Sequence, residues 1–110
     1  MKIICVPLTT EAMKLLDIND CPVALLETVS LTEKEHQHFL NSGALESINY
    51  ATGKIIDEYE DEIITTPEEL ETTLQILKAH LKPENSKTLT KLIQLNELAI
   101  NKSTGLFFFF

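Results

Sequence analysis

The chain has 110 residues, 44% of them hydrophobic and 24% charged, which suits one domain with one core and is too short for two. Seventeen acids face nine basic residues, all lysine, and leave a net charge of −8. That balance excludes the basic patches and arginine forks that hold and read nucleic acids, and it opposes contact with anionic membranes; it suits a basic protein partner.

Ile3, Ile4, Cys5 and Val6 form a continuous, mostly β-branched run, so residues 2–7 are expected as a buried strand. The run is too short for a signal-peptide core and no cleavage site follows it. With Cys5 and Cys21 alone there is no disulfide framework, and the expected compartment is the cytoplasm. A short helix is expected over 10–16. Asn19-Asp20-Cys21-Pro22 is turn chemistry, and 23–29 reads as a second strand. Ser30 and Glu33 make a capping-box pair, which predicts a helix from there to a left-handed stop near Gly43.

Residues 44–51 fit either a short helix or one arm of a hairpin through Thr52-Gly53. Beyond Lys54, the side chains of Ile55, Ile56, Tyr59 and Ile63 fall within an arc of about 100° on a helical wheel, which predicts a helix; the β-branched pair Ile63-Ile64 pulls locally toward extended structure. The clearest element covers 66–82. Thr66 is its N-cap, Pro67 its first residue and Glu69 the capping-box acid, while Leu70, Leu74, Leu77 and Leu81 make a stripe for the core and Pro83 ends it. A further helix over 86–101 carries apolar residues around half its circumference or more, so it is expected to be either central or covered on a second side. Leu106-Phe107-Phe108-Phe109-Phe110 suits a buried strand. The expected fold is therefore α+β: a single helix-rich domain, 1–110, with a small sheet made from the N-terminal strand, the C-terminal strand and the 23–29 strand.

Little in the chain promises chemistry. His36 and His38 lie two apart on a helix and point away from each other, which makes them surface histidines rather than joint metal ligands. His80 reads as a partly buried spacer beside the leucine stripe. No phosphate-cradling glycine loop, nucleophile elbow or zinc-binding helix motif is present, and Cys5 has no histidine near in sequence. The expectation is a protein that is not an enzyme, with no catalytic residues, no metal and no cofactor.

The unusual feature is Asp57-Glu58-Tyr59-Glu60-Asp61-Glu62, and from Asp57 to Glu71 there is no base at all. Such a run can be a solvated face. It can equally be a contact surface, because like charges on adjacent helical turns repel and folding gains nothing by gathering them. Tyr59 at its centre is a residue type enriched at interface hot spots.

The segment Gly53-Lys54-Ile55-Ile56-Asp57-Glu58-Tyr59-Glu60-Asp61-Glu62, followed by Thr66-Pro67-Glu68-Glu69-Leu70, resembles small bacterial immunity proteins. These accompany polymorphic toxins, including those of contact-dependent growth inhibition systems. The resemblance covers about residues 39–81. It implies a cytoplasmic inhibitor, monomeric when free, that binds one cationic toxin domain, often a nuclease, and covers its active site. Asp57, Glu58, Glu60, Asp61 and Glu62 would then pair with toxin lysines and arginines, with Tyr59 among them. The alternative is a structural or regulatory protein that self-associates through the last helix and the phenylalanine strand.

Overall fold

The structure, a computed structural model, describes residues 2–56 and 61–110. Among them are four strands and five helices, in the order β1 (Lys2–Pro7), α1 (Thr10–Asp17), β2 (Leu26–Leu31), α2 (Glu33–Asn41), α3 (Ala44–Thr52), β3 (Asp61–Ile64), α4 (Pro67–Ala79), α5 (Ser86–Lys102) and β4 (Leu106–Phe109). The fold is α+β, as expected. The strands form one antiparallel sheet in the order β2-β1-β4-β3, so the N-terminal and C-terminal strands lie in the middle.

Strand alternation sorts the sheet's two faces. Ile4 and Val6 of β1, Leu106 and Phe108 of β4, and Ile64 of β3 turn toward the helices and join one core with Phe39, Ile48, Leu77 and Leu92. Cys5 and Phe107, register partners, turn the other way and are still nearly inaccessible. Helix α1 lies on that side, its Met13 lining the same cleft as Phe107. Covered on both faces and paired on both edges, β4 can be apolar at every position. Each buried phenylalanine contributes roughly 1.5–3 kcal/mol. Thr104 ties the turn before β4 to β1 by donating from Oγ1 to the Pro7 carbonyl at 2.7 Å.

Helix α5 packs on α4 along one flank and lies across β1, β2 and β4, which accounts for its broad apolar surface. Helix α4 begins as its sequence dictates: Thr66 Oγ1 accepts from Glu69 N at 3.2 Å and Pro67 takes the first position.

Five local expectations are corrected. Residues 54–64 are not one helix: 53–56 are irregular and Asp61–Ile64 is a strand, because pairing with β4 satisfies its backbone and buries Ile64. The second strand starts at Leu26, after a single 3₁₀ turn over Val23–Leu25. The capping box of α2 is Thr32 with Glu35, not Ser30 with Glu33, since Ser30 is held in β2 opposite Ile3. His36 is buried, its ring edge-on to Phe110 at 5.0 Å between centroids. Leu81 is 41% exposed because α4 ends at Ala79, before the stripe's last residue. The open choice at 44–51 resolves as helix α3, closed by Gly53 at φ 69°.

Candidate functional site

Strand β3 is an outer edge of the sheet and opens with two of the predicted contact residues, Asp61 and Glu62. Asp61 is exposed. Glu62 is half-buried and turned inward: its Oε1 accepts from Ile63 N at 3.0 Å and its Oε2 from Ile55 N at 3.5 Å. Asp57, Glu58, Tyr59 and Glu60, the other four, lie outside the described residues.

The chain leading to them is tied down. The Asn49 amide donates from Nδ2 to the Ile56 carbonyl at 2.9 Å and accepts from Ile56 N at Oδ1, also at 2.9 Å. Ile56 is buried in the core. The acidic run therefore begins at an anchored residue and ends in a paired strand.

Just beyond β3, the start of α4 adds Glu68 and Glu71, both exposed. Asp61, Glu68 and Glu71 are exposed carboxylates on consecutive elements, and no lysine occurs between residues 55 and 77 of the sequence. Glu69 instead folds back onto its cap, accepting from Thr66 Oγ1 at 3.0 Å. Exposed carboxylates set up a negative field that steers cations and repels anions.

Between α1 and β3 lies a cleft of about 460 Å³. Met13, Ile63 and Phe107 give it apolar walls, and Lys14, Asp17, Lys54 and Glu62 stand at its rim. Two ammonium groups face two carboxylates there, so the rim is close to neutral. The cleft fits an apolar side chain better than an ion.

Sequence reasoning missed two exposed apolar residues that flank the Asn49–Ile56 clamp. Tyr50 is 93% exposed and Ile55 67%. The signal for Tyr50 was present: at 100° per residue it stands about 200° from Ile48, off the apolar side of α3.

Elsewhere the titratable groups have structural surroundings. Among the described residues no three of histidine, cysteine, aspartate and glutamate are grouped to hold a metal ion. Burial, with the Cys21 thiol nearby adding to it, pushes the Cys5 thiol from its ordinary 9.0 up to about 11, which favours the unreactive neutral form. The Lys91 ammonium, 2.7 Å from Glu35 Oε2, holds the Glu35 carboxyl below its usual range, helped by the Thr32 N–H. His80 is half-buried as expected, with Nδ1 2.9 Å from the Ile76 carbonyl, which makes that nitrogen the donor.

No protein-family model matches the chain, and no curated protein or solved structure matches it either.

Proposed function

We propose that this chain is an immunity-type inhibitor, a non-catalytic acidic protein that binds a cationic toxin domain and covers its active site. The observation that carries the reading is the exposure of Asp61, Glu68 and Glu71, which continue the acidic run of 57–62 along a stretch of sequence without lysine. A nuclease site is built positive to hold phosphates, so exposed carboxylates of this kind fit it and compete with its substrate. The neighbouring α1–β3 cleft would take an apolar side chain of the toxin, and exposed Tyr50 and Ile55 would add desolvated contact area. Nucleic acid and membrane are poor partners for the same electrostatic reason. The protein would act in the cytoplasm, where such a toxin arrives.

Asp61, Glu68 and Glu71 are the contact residues to test, because Glu62 is occupied by backbone N–H groups. The experiment titrates the wild-type chain and the Asp61→Lys, Glu68→Lys, Glu71→Lys triple variant against purified cationic nuclease toxin domains, at two salt concentrations. The reading expects salt-sensitive binding that neutralises the toxin and weakens more than tenfold in the variant, as loss of close interfacial charge pairs of ~1.5 kcal/mol or more would produce. Binding unaffected by the reversal, or no neutralisation, would reject it. Self-association through the phenylalanine strand receives less support, since β1 and β3 occupy both edges of β4.

A further inference from the structure

The two edges of the sheet differ. The β3 edge is four residues long and opens with two acids. The β2 edge is six residues long, pairs with β1 along its whole length, and contains no proline and no lysine. Charged and proline residues, short length and bulges are how edge strands avoid pairing with another chain. Of these, β2 has only Glu27. Thr28 and Ser30 are exposed, and both suit a pleated surface against a further strand.

Alongside β2 runs a groove of about 280 Å³, floored and walled by Val29, Leu95 and Leu98, with Glu27, Lys91 and Gln94 at its margins. The topology orients it. Strand β4 is antiparallel to β1, as is β2, so β2 and β4 run the same way. Helix α5 returns directly into β4 and thus runs opposite to β2. Lys91 accordingly sits near the C-terminal end of β2, where it pairs with Glu35 in the first turn of α2. Leu98, two turns further on, sits near Glu27 at the other end.

We infer that the β2 edge is a self-complementary interface, joining two copies of this chain into one continuous eight-stranded sheet. A two-fold axis through Val29, perpendicular to the sheet, sets β2 antiparallel to its copy. Val29 then meets Val29 of the second copy, and Glu27 of each comes opposite Leu31 of the other, next to Lys91. The ammonium has three donors and Glu35 takes one, which leaves capacity for the incoming carboxylate. The same operation puts the Leu95/Leu98 flanks of the two α5 helices on one side of the joined sheet, closing the groove with apolar surface. Opposite charges at opposite ends of one edge are the pattern a two-fold contact requires.

The net charge of −8 does not oppose this arrangement. Three strand spacings of about 4.8 Å place the acidic β3 edge roughly 14 Å from β2, beyond the ~8 Å screening length at physiological ionic strength. The monomer that the resemblance implies becomes a dimer by local charge. It leaves the β3 edge free at both ends, so it stands independently of the toxin-binding reading.

The test is sedimentation velocity on the full chain over a dilution series, with Glu27→Lys, Lys91→Glu and the double variant. One strand pair and one helix flank make a small interface, so a dissociation constant in the micromolar range is expected, on the order of 1–100 µM. Glu27→Lys, at an exposed position, should weaken the dimer about tenfold, and the double variant should restore it. Concentration-dependent protection of β2 amides from hydrogen exchange should accompany dimer formation. A chain that stays monomeric to about 1 mM, or a dimer indifferent to Glu27→Lys, overturns the inference.

Discussion

Asn49 and Ile56 are joined as two strand residues would be, through one donor and one acceptor each, although one partner is a side chain on α3 and the other is irregular backbone. The amide of Asn49 satisfies both backbone groups of Ile56 where the chain leaves α3 and enters the core. This contact sets where the acidic run starts.

Replacing Asn49 with alanine should remove both hydrogen bonds and strand a buried N–H and C=O. A loss of about 2 kcal/mol is expected, read as a lower urea midpoint. Asn49→Asp separates the clamp from packing. The ionised carboxylate keeps the acceptor for Ile56 N but opposes the Ile56 carbonyl, and protonation supplies a donor again. Its deficit relative to wild type should therefore shrink as pH falls through about 4. A deficit independent of pH would mean the amide acts only by filling space.

Among the described residues, the buried side chains of Thr73 and Asn96 have no hydrogen-bond partner. Thr73 Oγ1 faces an apolar void of about 10 Å³, with no other polar side chain lining it, and both amide atoms of Asn96 are unpaired in the middle of the buried face of α5. A water needs two or more polar partners, which the Thr73 void does not offer. Thr73→Val and Asn96→Leu should each stabilise the fold, by about 1 and about 2 kcal/mol, because they relieve desolvation without removing a bond. Thermal unfolding checks both, and a fall in midpoint for Thr73→Val would show that its hydroxyl is satisfied in solution.

The two thiols should behave differently. Cys5 is 2% exposed with its thiol pushed up to about 11, whereas Cys21 is half-exposed. A disulfide reagent at neutral pH should titrate one thiol quickly and the second only on unfolding. The raised value also fixes a sign. The neutral thiol is favoured by folding, so its contribution is complete below pH 9.0 and is lost as pH rises toward about 11. Cys5→Ala should flatten the stability profile across that interval.

Gly105 precedes β4 where a Cβ would lie 2.7 Å from the Ile64 carbonyl oxygen and 2.7 Å from Thr65 Cγ2. Gly105→Ala must push the end of β3 off β4, at an expected cost of about 1–3 kcal/mol. The displaced strand carries Asp61, so under the proposed function weakened binding of a cationic partner should accompany lost stability.

What the chain disclosed in advance was what local chemistry decides. The Thr66-Pro67 start needs only neighbours within one turn and stands as read, except that the Glu69 carboxylate takes the Thr66 hydroxyl instead of closing the capping box on the Thr66 N–H. The phenylalanine strand was legible because so apolar a run has no other place. Strand β3 was not, since Ile55, Ile56 and Ile63 happen to fit a helical arc, and only β4, over forty residues later, makes the extended form better. The α2 cap was ambiguous for a similar reason: Ser30/Glu33 and Thr32/Glu35 are overlapping versions of one motif, and strand pairing at Ser30 chooses between them. At the candidate site, composition located the acids, but it could not separate exposed Asp61 from Glu62, whose carboxylate is taken up by Ile63 N–H.

The placement of β1 beside β4 also governs how the molecule yields to force. The strands are antiparallel with Ile3 opposite Phe109, and Lys2 Nζ donates to the Phe110 carbonyl at 3.4 Å, so residues 2 and 110 stand side by side at one end of the sheet. Tension applied across them peels the pair apart from that end, loading hydrogen bonds singly instead of in parallel shear. A core that is well buried against heat or urea would thus open under a small pull, and single-molecule stretching between these two positions should register a far lower rupture force than stretching along β1 itself. An unfoldase gripping either end meets the sheet along its weakest direction, at the seam between its two central strands.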